Sequence, residues 1–346
     1  MPKIPLEKQS KLMRGPAVKT PEDYFPNFSI DDVNKFGNRD SLKKMVQHAK
    51  NYNTMLAQQI TFINTALSGA IPFTRENLYL ICAYTGNGKS TIAANISYPL
   101  WKEQKKILII TNEESDTDVL FRISCLELSL NFNDWKKGLM SHADQLKVMS
   151  NFQEISKYVK VLDVNFEGGL TTKVEGIKKA LMDIRGQGFS AALIDYYQLV
   201  RHSMADPSKS TYENLNDLRT WLGTYIKGSE VPVVLFAQLY SMGKRASKDI
   251  DHRIKECTAV NEPATVIIEA VPNMDELTTD FIIHKDRFGL AGNKITCAFE
   301  KGRYVKLTEA HKRRVTEMKL ARMSKEIDDM SSPTSAVITD ERDDEH

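Results

Sequence analysis

The stretch that most restricts how this chain can fold is an apolar run, Leu78-Tyr79-Leu80-Ile81, that passes through a glycine-rich turn into a helix-forming segment, Thr91-Ile92-Ala93-Ala94-Asn95-Ile96. The turn reads Cys82-Ala83-Tyr84-Thr85-Gly86-Asn87-Gly88-Lys89-Ser90. Strand, glycine turn and helix in that order make a phosphate-binding loop. Gly86 and Gly88 let backbone N–H groups curl around phosphate oxygens with no Cβ in the way. Lys89 is placed for the β- and γ-phosphates and Ser90 for Mg²⁺, while the helix N-terminus adds its own positive field. Ala83 stands where the usual pattern has its first glycine. Residues Ala83, Thr85, Gly86, Asn87, Gly88, Lys89, Ser90 and Thr91 are therefore the expected contacts of a nucleoside triphosphate.

Further apolar runs follow at Ile107–Thr111, Val159–Val164, Ala191–Ile194, Val231–Ala237 and Val266–Ala270. Helix-forming segments lie between them at 90–104, 116–130, 171–187 and 211–228. Near-continuous apolar strands separated by helices imply an α/β fold with a mostly parallel sheet covered on both faces. Asp280–His284 and Lys294–Phe299 flank Gly289 and Gly292, which predicts a closing antiparallel hairpin. Residues 308–327 read as a basic helix.

The division expected along the chain is a proline-rich arm at 1–40, a linker helix at 41–58, the α/β domain at 59–308, and a basic helix with an acidic, disordered tail at 309–346. The net charge of +2 hides an uneven distribution: residues 1–75 hold 11 Lys/Arg against 6 Asp/Glu, and residues 324–346 hold 2 against 8. A basic front suits a nucleic-acid partner, and an acidic end suits a solvated tail. The four cysteines, Cys82, Cys125, Cys257 and Cys297, form no C-x-x-C pair, which argues against a zinc site or disulfide framework and for small buried hydrophobes. With no secretory pattern and no apolar stretch of membrane-spanning length, the expectation is a soluble, cytoplasmic protein with no membrane partner.

In a sheet of this kind ligands lie at the carboxyl ends of the strands. Three further strands end there in polar residues. One closes with Asp195, as a strand supplying a carboxylate to the Mg²⁺ side should. Another runs to Glu113 and Glu114, acids able to orient an attacking water, with Glu114 read as a solvated neighbour of Glu113. The third ends at Gln238, an amide able to sense a γ-phosphate.

Taken as an ordered series, these segments resemble the motor domain of DnaB-type replicative helicases, which are RecA-fold P-loop ATPases that form hexamers. The resemblance runs from about Gln59 to Leu307. Ala83–Thr91 matches that family's phosphate loop, which often begins with Ala. Glu113, followed nine residues later by Arg122, resembles the family's catalytic carboxylate and its supporting, cofactor-side Arg. Ile194-Asp195-Tyr196-Tyr197-Gln198-Leu199 is similar to the family's Ile-Asp-Tyr-Leu-Gln-Leu, with Asp195 in the Walker B role. Gln238 matches the glutamine that contacts the γ-phosphate. Lys285-Asp286-Arg287-Phe288-Gly289 resembles Lys-x-Arg-x-Gly, in which Lys and Arg reach a neighbouring subunit's ATP site.

The resemblance implies a ring-forming, Mg²⁺-dependent ATPase that translocates on single-stranded DNA and unwinds forked duplex, with a primase, loader or single-strand-binding protein as partner. It departs from the family in three places. Tyr240-Ser241 replaces Asn-Arg after Gln238-Leu239, Lys255-Glu256-Cys257-Thr258 replaces Arg-Glu-Ser-Gly, and no N-terminal helical domain is found, an organisation that would suit a bacteriophage genome. The expected DNA contacts are Arg201, His202 and Lys209, then Lys244, Arg245 and Lys248, then Arg253, Lys255, Glu256 and Thr258. Phe299 reads as sheet packing, with Tyr304 the other aromatic considered for stacking on adenine. Two alternatives use the same core: a RecA-family strand-exchange recombinase, and a nucleotide-gated DNA clamp or loader that does not unwind.

Overall fold

The computed structural model describes residues 62–63, 67–68, 71–163, 170–195, 197–200, 206, 208–240, 250, 253–254, 258–287, 289 and 291–331. The expected arm, the linker helix and the end of the acidic tail lie outside the described residues, as do Arg201, His202, Lys244, Arg245, Lys248, Lys255 and Glu256.

The strands are β1 (Leu78–Ala83), β2 (Lys106–Thr111), β3 (Val159–Leu162), β4 (Phe189–Asp195), β5 (Val233–Gln238), β6 (Val266–Asn273), β7 (Thr278–Asp286), β8 (Lys294–Glu300) and β9 (Arg303–Lys306). The helices are α1 (Lys89–Lys102), α2 (Asp116–Leu128), α3 (Phe132–Lys136), α4 (His142–Ser156), α5 (Val174–Asp183), α6 (Thr211–Tyr225) and α7 (Glu309–Ser331). The nine strands among the described residues form one sheet in the order β3-β2-β4-β5-β1-β6-β7-β8-β9. From β3 to β6 every pairing is parallel, and from β6 to β9 every pairing is antiparallel.

The parallel part forms because its strands are apolar on both sides. β1 is buried along its whole length, so each face needs a covering layer. Tyr79, Ile81 and Ala83 pack on one face with Ile92, Ile96 and Leu100 of α1. Leu78, Leu80 and Cys82 pack on the other with Ile177 and Leu181 of α5 and Leu215, Leu218 and Leu222 of α6. Cys82, Cys125 and Cys297 are buried, and burial pushes the Cys125 thiol up to about 11.

The structure extends the expected picture in three places. Helices α3 and α4 fill a stretch read as connection, and the predicted hairpin is part of a longer antiparallel run that includes β9. The segment expected as one helix at 171–187 divides into a 3₁₀ turn, Leu170–Thr172, and α5.

Asn95 locks the antiparallel half against the helix that follows the glycine turn. It is 4% exposed on α1, and its Nδ2 donates to the Gly302 carbonyl at 2.8 Å while its Oδ1 accepts from the Tyr304 N–H at 3.0 Å. Replacing it strands backbone groups that have no water to turn to. Asn95→Leu is expected to lower the free energy of unfolding by about 2–4 kcal/mol. Urea denaturation of wild type and variant checks this, and an unchanged midpoint would refute the role of the amide.

Candidate functional site

The carboxyl ends of β1, β2, β4 and β5 point to one edge of the sheet, and the expected residues converge there. Gly86 and Gly88 adopt left-handed backbone at φ +80° and +81°, a conformation that side chains with a Cβ disfavour. The Asn87 N–H donates to the Tyr84 carbonyl at 3.1 Å, which closes the turn. Gly88 caps α1 without a side-chain hydrogen bond, whereas Ser115, Ser141 and Ser210 cap α2, α4 and α6 with their hydroxyls. No side chain caps the first turn of α1, where the field of the helix N-terminus favours an anion.

Lys89 lies inside this edge, 8% exposed. Burial pushes its ammonium below the ordinary value, against the opposing pull of Asp195 and Glu113. The Ser90 hydroxyl donates to Asp195 Oδ2 at 2.9 Å, although β5 lies between the strands they follow. Asp195 Oδ1 is buried and meets no hydrogen-bond donor among the described residues. A hydroxyl beside a carboxylate oxygen of that kind is the oxygen donor set that a hard cation takes, so Ser90 and Asp195 fit Mg²⁺. Burial, moderated by the Ser90 bond, raises the Asp195 carboxyl to about 6.

Gln238 Nε2 donates to Thr85 Oγ1, placing the amide against the phosphate loop. Its backbone is held on both sides by Gln198, whose Nε2 donates to the Gln238 carbonyl at 3.0 Å and whose Oε1 accepts its N–H at 3.1 Å. Gln198 is thus a supporting residue for which the sequence predicts no role. The signal available was a polar residue just past a buried strand ending in Asp195.

Of the two acids after β2, Glu114 is the one whose surroundings depart from the expectation. Both amides donate to Thr111 Oγ1, at 3.3 and 3.1 Å, and the turn this makes sends the side chains different ways. Glu113 is exposed, within electrostatic reach of Lys89 and Asp195. Glu114, read as the solvated one, is half-buried in an ion pair with Arg122, whose guanidinium also lies 4.0 Å over the Phe132 ring. Ser90, Thr111, Glu114, Arg122 and Asp195 line one small cavity behind the hydroxyl–carboxylate pair.

Other expected residues lie elsewhere. Lys285 and Arg287 are at the far end of β7. Lys285 Nζ donates to the Asn261 carbonyl at 2.7 Å, and Arg287 Nη2 to the Glu262 carbonyl at 3.5 Å. Asp286 pairs with Val266, which pairs with Tyr79 near the start of β1. The phosphate loop begins after Ala83, about 15 Å further along at the usual strand rise. Lys209 pairs with Asp217 at 2.5 Å, and Thr258 opens the 3₁₀ turn Thr258–Asn261. Arg253, expected among DNA contacts, turns inward onto Glu269. Tyr304 is 5% exposed and packs edge-on against Phe281, which removes it from any role in stacking on a base.

The buried Asp195 carboxylate weighs on the empty protein. Its folded value exceeds the ordinary 3.8, so the penalty is absent below about pH 4, grows as pH rises, and is complete above about 6. Asp195→Asn is expected to stabilise the nucleotide-free protein by about 3 kcal/mol at neutral pH and by nothing near pH 4. Thermal unfolding across that range checks it, and a pH-independent difference would contradict the assignment.

The sequence pattern described as DnaB-like helicase C terminal domain matches residues 56–309. A comparison with curated protein sequences finds no match. Among solved structures, the chain is similar to one described as an ATPase domain, with a TM-score of 0.64 at 18% identity over 79% of this chain and 100% of that one. It is also similar to a DnaB-like replicative helicase described with its interactions with primase, with a TM-score of 0.60 at 18% identity over 81% of this chain and 74% of that one. A KaiC-like protein, PH0186 from Pyrococcus horikoshii OT3, gives a TM-score of 0.50 at 15% identity over 72% and 99%. These likenesses agree with the strand order in showing a RecA-like α/β fold. No helix among the described residues is long and apolar enough to cross a membrane. With residues 56–309 matched, well over half of its length, the protein belongs to the DnaB-like helicase C terminal domain family.

Proposed function

We propose that this chain is the ATPase motor of a ring-forming replicative helicase, which hydrolyses ATP to move along single-stranded DNA and separates duplex at a fork. The observation that carries the reading is the separation of two functions along one sheet. The phosphate loop, Asp195, Glu113 and Gln238 gather at the carboxyl edge, while Lys285 and Arg287 sit at the opposite edge. Cations so placed cannot serve their own chain's phosphates. They suit the site of a neighbouring copy, where they would offset charge on the transferred phosphoryl group.

In this reading Lys89 and the α1 amides hold the β- and γ-phosphates, and Glu113 orients the attacking water from its exposed position. Gln238, fixed by Gln198 and bonded to Thr85, senses whether the γ-phosphate is present. Mg²⁺, held by Ser90 and Asp195, supplies charge neutralisation on the phosphate oxygens. Arg122 belongs to the same site through Glu114. The segments after β4 and β5 leave from this edge, which supports Arg201, Lys209, Lys244, Arg245, Lys255 and Glu256 as the DNA-facing set, by salt-sensitive phosphate contacts, whereas Thr258 opens the turn that meets Lys285. A similar DnaB-like helicase interacts with primase, which supports a primase as one partner here.

The test is ATP-driven strand displacement on forked DNA with long single-stranded tails. Wild type is expected to displace the strand and Lys89→Ala is not. Arg287→Ala is expected to bind nucleotide normally but to lose turnover by roughly a thousandfold or more, the range seen for arginine fingers. Near-normal hydrolysis by Arg287→Ala would overturn its action in trans. Tight ATP binding by wild type with negligible hydrolysis on any DNA would overturn the motor reading.

A further inference from the structure

Glu269 interrupts an otherwise apolar strand, Val266-Ile267-Ile268-Glu269-Ala270, and is 3% exposed. Taking a carboxylate out of water costs several kcal/mol unless it is well paired, and this one is. It accepts from Arg253 Nη1 at 3.0 Å, from Arg253 Nη2, and lies 2.8 Å from His284 Nε2 on β7. Burial alone would raise its carboxyl, but hydrogen bonds from His284 and Arg253 hold it below the ordinary value. None of these three residues takes part in the hydroxyl–carboxylate pair or the Gln238 contacts described above.

The guanidinium has a second task. Arg253 Nη2 donates to the Tyr84 hydroxyl at 2.9 Å, and its Cζ lies 5.6 Å from the ring centroid. Tyr84 is the residue whose carbonyl receives the Asn87 N–H and so closes the phosphate loop. Arg253 is also fixed at its backbone, because the Tyr240 N–H donates to its carbonyl at 2.9 Å and Ile254 bridges to Leu239 just after Gln238. One side chain thus joins the loop, the chain leaving β5, and strands β6 and β7.

We propose that Arg253 is a positioning residue of the nucleotide site, clamped by Glu269 and His284 so that it fixes Tyr84 and with it the turn of the phosphate loop. It acts through Tyr84 and touches no nucleotide itself. The proposal rests on the reading of that loop as an ATP site. It also explains why a cation in a segment expected to face DNA is turned inward. A lysine could neutralise Glu269 but lacks the planar fork that serves two partners together.

The experiment measures ATP affinity of the full-length chain by calorimetry, alongside melting temperature without nucleotide. Tyr84→Phe keeps the ring and removes only the hydroxyl. It is expected to melt as wild type does and to bind ATP roughly ten- to a hundredfold more weakly, as the loss of one hydrogen bond to a charged group implies. Arg253→Lys should lose a similar factor, and the double variant should be no weaker than the worse single one. Wild-type affinity in Tyr84→Phe, or losses that multiply in the double variant, would overturn the positioning role. If Arg253→Lys does not fold, Tyr84→Phe decides alone. Wild type failing to bind ATP would refute the nucleotide reading and this proposal together, whereas equal binding by wild type and Tyr84→Phe refutes this proposal only.

Discussion

The Ser90–Asp195 hydrogen bond spans a strand that belongs to neither partner. It can form only because β4, β5 and β1 run in the same direction and finish within two residues of one another. Parallel pairing is what aligns them, and it follows from strands that are apolar on both faces. Every other polar contact at this edge inherits the same alignment. Gln238 meets Thr85 because Ala83 and Gln238 are register partners, and the Asn112 amide donates to the Asp195 carbonyl at 2.8 Å because β2 and β4 end together.

The charges held in this framework are expensive to bury, and each is treated differently. At Lys89 and Asp195 burial outweighs the surrounding attractions, leaving a depressed ammonium and a raised carboxyl, as would suit the proposed phosphate and cation partners. Glu269 is fully paired and its carboxyl is depressed. Proximity alone does not separate the two carboxylates, since both lie beside the phosphate loop. What separates them is how far the described residues complete the hydrogen bonding, on both oxygens of Glu269 and on one of Asp195.

The parallel strands were legible in the sequence because burial on both faces leaves unbroken apolar runs, and the phosphate loop because glycine and lysine spacing reports backbone geometry directly. Helix α4 was not. Of its residues only Val148 and Ile155 are buried, too few to mark a stripe. Strand β9 is four residues long and follows a tight turn at Gly302. The charged residues were the least legible. Glu113 and Glu114 are adjacent and chemically alike, and only the Thr111 turn decides which one meets Arg122. Arg253 looked like a surface cation because its partner is sixteen residues away on another strand.

The placement of Lys285 and Arg287 at one edge and the phosphate loop at the other has a further consequence. In the proposed arrangement each copy gives at one surface and receives at a different one, so neighbours meet head to tail through unlike patches. Contacts of that kind carry a sense of direction, and repeating them either closes on itself or winds on as a helix. The choice rests on the rotation between successive copies. In that proposed arrangement the geometry of the seam, more than the chemistry of the loop, would set how many copies act together.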